Sequence, residues 1–327
     1  GNDMKKLLLL STSLTACTFL ACMPQRAALA NPEGGVVSAG SATIETSAAR
    51  VDVRQSSDKA VIDWRSFNIN KGETTQFHQP TSSSLTVNRI NDSNPSQILG
   101  NLKSNGNIVL INQSGISFGK DAVVDVGGLI ATTSDISNDD AMAGRMNFIA
   151  TGNATATVSN AGTITAKDAG LIGLVAPNVE NSGIINAKLG KVHLASGDKF
   201  TLDLYGDGAI SIQASDALEN QIISNTGTIS AEGGTIQVSA ATGAHLVNSL
   251  VQIDGELSAP SASIGDGGKI FIAGDDTSSV SITGILDTSG TNGGSISIRG
   301  KNVLQQGKLL ANATNGQGGT INVSFKE

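Results

Sequence analysis

Asn160-Ala161-Gly162-Thr163-Ile164-Thr165-Ala166 returns as Asn181-Ser182-Gly183-Ile184-Ile185-Asn186-Ala187 and again as Asn225-Thr226-Gly227-Thr228-Ile229-Ser230-Ala231. Looser copies stand at Gly255-Glu256-Leu257-Ser258-Ala259 and Gly307-Lys308-Leu309-Leu310-Ala311. Self-similarity of this kind is the mark of a repeat architecture. A second phrase interleaves with the first: Gly233-Gly234-Thr235-Ile236-Gln237-Val238 is matched at Gly267–Ile272, Gly293–Ile298 and Gly318–Val323. The second glycines of these copies lie 34, 26 and 25 residues apart, and two of these three intervals fall in the usual range for one solenoid coil.

Each phrase is a short run with period two, so alternate side chains face opposite ways and one face can be buried. The Gly and Asn residues before each run predict corners with positive-φ positions. A single coil cannot bury its own apolar face, so stability must come from stacking coil upon coil. Glycine is too frequent for helix, and no stretch after residue 31 sustains helical spacing of apolar residues. A β-sandwich also uses short strands with regular turns, but it explains the near-identical phrases less well.

The N-terminal segment reads differently. Met4-Lys5-Lys6, the apolar run Leu7–Leu10 and the small residues Ala28-Leu29-Ala30 follow the order of a secretory signal. Residues 1–30 are read as that signal, residues 1–3 as upstream of its start, and Ala30 and Asn31 as the cleavage pair. Leu14-Thr15-Ala16-Cys17 also resembles a lipid-attachment box, which makes lipidation of Cys17 the alternative. A membrane anchor would need about 20 predominantly apolar residues, more than this interrupted run supplies.

Removing residues 1–30 takes away Lys5, Lys6, Arg26 and Asp3, leaving 18 basic and 27 acidic side chains and a formal charge of −9. A mildly acidic chain without basic clusters argues against nucleic acid as a partner. Cys17 and Cys22 leave with the signal, so the exported chain carries no thiol. Trp64, Tyr205 and seven phenylalanines are its aromatics, while Val, Ile and Leu recur at short intervals throughout.

Residues 37–150 carry longer runs and bulkier side chains. Val61–Ile69, Thr75–Pro80, Val87–Ile90, Pro95–Gly100 and, most densely, Gly106–Asp135 appear in an order that resembles the filamentous haemagglutinin-type secretion domain of two-partner-secretion exoproteins. Ala195–Asp198 and Leu202–Gly208 extend the resemblance, which covers about residues 35–250. The expected fold is then all-β: a right-handed parallel β-helix, a solenoid with an N-terminal cap and extra-helical strands. The expected division is 31–250 as the secretion domain and 251–327 as further β-helix coils, the start of a longer fibre.

The resemblance implies an outer-membrane barrel transporter as partner, its periplasmic domains capturing residues 31 to about 250. It also implies passage through the periplasm to the medium or surface of a Gram-negative bacterium, and an adhesin-like role with a host or cell-surface receptor. Where the family commonly shows Asn-Pro-Asn-Gly-Ile, this chain has Asn112-Gln113-Ser114-Gly115-Ile116. Gln-Ser still suits a type I turn with Gly at its end. Asn112, Gln113, Ser114, Gly115 and Ile116, with Asn94 and Pro95, are the candidate transporter-recognition or turn motif, and Trp64 and Phe67 the candidate N-terminal core.

Parallel β-helices include enzymes acting on acidic polysaccharides, so catalysis is the first competing reading. His78, His193 and His245 lie far apart and form no metal-spaced pair, and no Gly-x-Ser-x-Gly elbow occurs. Asp139-Asp140 and Asp275-Asp276 sit in polar, loop-like segments, and Asp203 and Asp207 read as turn residues rather than calcium ligands. No enzyme, metal or cofactor is therefore assigned. An autotransporter passenger is the second competitor; it would need a C-terminal barrel, which is not read in these 327 residues.

Overall fold

The computed structural model describes residues 30–262, 266–274 and 277–325. The signal-peptide reading, Cys17, Asp275-Asp276 and the last two residues lie outside that set. The described chain forms three long sheets wound around one axis. Sheet A has eleven strands, from Val36–Ala39 and Lys59–Trp64 up to Thr320–Phe325. Sheet B also has eleven, from Ala42–Ser47 to Lys308–Leu310, and sheet C has eight, from Ser96–Ile98 to Asn302–Gln305. One coil visits them in the order A, C, B: Leu171–Ala176, Asn178–Asn181, Ile184–Asn186, then Lys191–Ser196 back in sheet A.

Pairing between coils is parallel and in register, as in Leu171↔Lys191↔Thr235 and Ile164↔Ile185↔Ile229. This is the parallel β-helix expected from the repeats. The first phrase proves to be the corner from sheet C to sheet B, and the second the corner from B to A. Among the described residues antiparallel pairing is confined to the start, where Val36–Ala39 meets Lys59–Trp64 and Ala42–Ser47 meets Arg50–Gln55, to a small extra-helical sheet, and to the isolated bridge Asp135↔Ile149 beside it. The antiparallel start closes the first coil. The stack runs on through residue 250, which falls inside the strand Asn248–Ile253.

The corner chemistry differs from the sequence expectation. Gly162, Gly183, Gly227, Gly255, Gly284 and Gly307 are absent from the positive-φ residues. Their role is spatial: a Cβ on Gly183 would strike the carbonyl oxygen of Gly162, and one on Gly227 that of Gly183. Each glycine thus lets the coil above descend to strand-pairing distance. The corner asparagines contribute through side chains. Asn160 Nδ2 donates to Asn181 Oδ1 at 2.8 Å, and Asn181 Nδ2 to Asn225 Oδ1 at 2.7 Å, a buried amide ladder along the axis. At the B-to-A corner the αL position is held by Ala169 (φ 64°), Leu189 (φ 57°) and Gly233 (φ 69°) in successive coils.

The core is a continuous column from Val51 and Val53 to Ile296 and Ile298. A second apolar cluster lies outside sheet A, where Val61, Leu85, Val109, Ile130 and Val175 are covered by an added layer. That layer combines the helix Asn138–Ala143 with a three-stranded sheet of Met146–Phe148, Lys199–Leu202 and Ile210–Gln213. Phe148 and Phe200 stack at 4.2 Å, joining two excursions that leave the coils more than fifty residues apart. Strands beneath the layer are buried on both faces, which is why Leu171–Ala176 reads as an unbroken apolar run. Beyond it the outer face is wet, and Lys269–Ala273 alternates.

His193 lies on sheet A under this layer, its Nε2 2.8 Å from the Gly208 carbonyl oxygen and its Nδ1 buried without a partner. Burial, and secondarily the nearby Lys191, push its pKa down to about 4. The folded chain therefore favours neutral His193. That contribution is intact above the unfolded pKa of about 6.5 and is lost as pH falls through about 4. Urea midpoints should fall across this window, and His193→Gln should flatten that part of the profile.

Two substitutions test the corners. Gly183→Ala should cost about 2–3 kcal/mol, since the carbonyl it meets belongs to paired backbone. Ala169→Gly should gain about 1 kcal/mol by relieving an αL alanine. Denaturant unfolding measures both, and opposite signs for two changes at neighbouring corners are the expected outcome.

Candidate functional site

The sequence-selected motif forms the A-to-C corner between strands Asn107–Asn112 and Ile116–Phe118. Asn112 ends the first strand fully buried, and its amide is used on both sides. Its Oδ1 accepts from the Ser114 backbone N–H at 2.9 Å, while Nδ2 donates to the Asn94 carbonyl at 3.1 Å and to Ser96 Oγ at 3.0 Å. The Asn112 carbonyl accepts from Gly115 N–H at 2.9 Å, closing the turn. Gly115 takes φ +116°, and a Cβ there would come 2.7 Å from the Thr157 carbonyl oxygen of the next coil. Ile116 points into the core and pairs with Ser96 below and Val158 above.

Asn94 and Pro95 come from the preceding coil and lie beside this turn. Asp92 Oδ1 accepts from both the backbone and the side-chain nitrogen of Asn94, and Ser114 Oγ donates to the Asp92 carbonyl at 2.9 Å. The seven residues thus form one constellation. Within it Asn112, Gly115 and Ile116 hold the turn, whereas Asn94, Pro95 and Gln113 are exposed.

Sequence reading missed the third wall. Asn153 Nδ2 donates to the Gln113 carbonyl at 2.8 Å, bringing the segment 153–159 alongside. Between the walls lies an open groove of about 290 Å³, lined by Pro95, Gln97, Ser114, Asn153, Thr155 and Ser159 among others. Its lining mixes hydroxyl and amide groups with the apolar Pro95, Ile116 and Ala156 and carries no formal charge, suited to hydrogen bonding with an extended backbone. The available clue was the polar, non-periodic stretch Thr151-Gly152-Asn153-Ala154-Thr155 between two strand phrases.

Trp64 and Phe67 are both buried, their rings edge-to-face at 5.4 Å, and Trp64 Nε1 donates to the buried Asn88 Oδ1 at 2.9 Å. One residue along from Asn88, Arg89 gathers Asp63, Asp135, the Ile136 carbonyl and Asn138, and so fastens the added layer to sheet A. Burial opposes the Arg89 charge most strongly. The hydrogen bonds and charges of Asp135 and Asp63 together outweigh it and raise its pKa.

Most of the acids weighed for catalysis or metal binding have structural places among the described residues. Asp139 and Asp140 occupy the first turn of the helix capped by Ser137, and Asp140 pairs with Arg145 at 2.8 Å. Asp203 and Asp207 accept backbone N–H groups within their own loop. His78 pairs with Asp52, which also holds Arg50; the Arg50 hydrogen bond leads in holding the Asp52 carboxyl down at about 2. Among the described residues no group of three or more His, Cys, Asp or Glu could hold a metal ion.

Asn112→Ala should cost about 2–3 kcal/mol by orphaning its buried partners, whereas Gln113→Ala should change stability by less than about 0.5 kcal/mol. Chemical denaturation of the two variants separates turn-holding from surface residues within this motif.

Comparison with known proteins places the geometry in context. Residues 28–270 match the TPS secretion domain family. The crystal structure of the HMW1 secretion domain from Haemophilus influenzae superposes with a TM-score of 0.79 at 31% identity, covering 91% of this chain and 85% of that one. Two heme/hemopexin-binding proteins of Haemophilus influenzae are 33% identical over 215 residues and 31% identical over 257. The alignments take in 61% and 72% of this chain but only 23% and 27% of those proteins.

Proposed function

The chain belongs to the two-partner-secretion (TPS) secretion domain family, and from that premise we propose that residues 31 to about 250 present the exoprotein to an outer-membrane barrel transporter. The transporter's periplasmic domains would capture this segment, and the β-helix would then grow outside the cell. The observation that carries the reading is the match over residues 28–270 together with the uninterrupted stack that continues to Phe325. An exported chain of this build favours one-way threading. Each arriving coil finds a complete row of backbone groups to pair with and a column of Ile, Val and Leu to cover.

The groove beside Gln113, with Asn94 and Pro95 on its rim, is the recognition surface of this reading. It is open, its walls come from three coils, and the turn that carries Ser114 into it is held by the buried Asn112. The adhesin-like role and a host or cell-surface receptor belong to the same proposal. The names of the Haemophilus relatives refer to whole chains of which this segment aligns with about a quarter. We therefore carry over export and leave their ligand with the remainder of those proteins.

Secretion into the medium of a Gram-negative host that co-expresses the partner barrel tests the proposal. Deleting residues 64–129 should strand the chain in the periplasm, and Gln113→Arg should lower secretion severalfold without moving the urea midpoint. Normal export of the deletion would overturn the assignment. Normal export of Gln113→Arg alone would move recognition away from this corner.

A further inference from the structure

Glu73 stands at the foot of the prism, next to the start of the described chain. It is 2% exposed, and among the described residues no lysine, arginine or histidine side chain forms an ion pair with it. Its carboxylate is held by backbone: Oε2 accepts from Asn70 N–H at 2.8 Å and Oε1 from Ala30 N–H at 3.0 Å. A buried carboxylate without a cation is costly unless a positive charge reaches it.

The adjacent residue carries a second anomaly. Asn31 is anchored by Nδ2, which donates to the Ser47 and Ala48 carbonyls at 3.1 and 3.2 Å, yet its Oδ1 is buried with no donor. Around the Ala30–Asn31 peptide bond one buried carboxylate therefore has neutral donors only, and one buried amide oxygen has no donor. An uncut chain has one N–H per residue there. Hydrolysis of that bond adds water, sends the Ala30 carboxylate away with the leader, and leaves Asn31 with an ammonium bearing three N–H donors.

We propose that Glu73 is the receptor for the α-ammonium of the processed N-terminus, so that removal of the leader completes an ion pair at the first coil. The inference rests on cleavage between Ala30 and Asn31, the site read from the small residues Ala28-Leu29-Ala30. In the uncut chain Glu73 has the Ala30 amide instead, a neutral donor. In the cut chain the Ala30 amide has left, and the Asn31 ammonium, one residue along, would turn to Glu73 with hydrogens to spare for the orphan Asn31 Oδ1. Tying down Asn31 fixes the chain that leads into the antiparallel cap, where Glu33 pairs with Ser66 and the first strands of sheets A and B begin.

The experiment is a double-mutant cycle on the whole chain. Secreted protein, its N-terminus identified by mass spectrometry, is compared with protein retaining Ala28-Leu29-Ala30 behind an uncleaved extension, each with Glu73 and with Glu73→Gln. Loss of the buried pair should lower the folding equilibrium constant about tenfold or more in the cut protein, and less than about threefold in the extended one. Equal losses in both overturn the proposal. So does a mature N-terminus other than Asn31, which at the same time leaves export itself untouched. Should Glu73→Gln fail to fold, the two Glu73 proteins decide: the cut form must be the more stable.

Discussion

Parallel strand pairing at a spacing of about 4.8 Å is the constraint from which the rest of this molecule follows. Every coil must lie flat on the one below over three faces and three corners. Strands meet that demand easily. Corners do not, because there the chain turns and at particular positions a Cβ would strike the carbonyl of the coil below. The stacked column of Gly162, Gly183, Gly227, Gly255, Gly284 and Gly307 is the solution at one corner. The asparagines beside it turn the same closeness to advantage, passing hydrogen bonds from coil to coil where a buried amide would otherwise be a liability.

Much of the fold was legible because a solenoid repeats its own solution. Ile164, Ile185 and Ile229 stand in one row of the core, and the same three phrases reveal it in the sequence. The reason for the corner glycines was not legible. Composition cannot separate a residue needed for its backbone angle from one needed for its missing side chain; only neighbours from another coil do so. The added layer was partly hidden for a related reason. Continuous apolar runs such as Leu171–Ala176 announce burial on both faces but do not say which distant segment covers them. Phe148 and Phe200 meet face to face from excursions in different coils, and no local pattern foretells that pairing.

The corner at Asn112–Ile116 shows the same division. Asn112, Gly115 and Ile116 were picked out by resemblance, and the structure gives each a definite mechanical task in the turn. The wall contributed by Asn153 and Thr155 had only a weak mark, a polar interruption between strands. One short motif thus combines residues that hold shape with residues exposed to solvent. Of the two departures from the resembled pattern, Gln113 is exposed, whereas Ser114 is half-buried and takes part in the turn through its N–H and its hydroxyl.

Beyond the added layer, the outer side of sheet A returns to water. The row that contains buried His193 continues as Gln237, Phe271, Ser297 and Asn322, four unlike side chains in equivalent positions. Nothing in the column behind them depends on which residue stands there. That flank can therefore be rewritten one rung at a time, changing what the outer face displays while the column behind it keeps its winding.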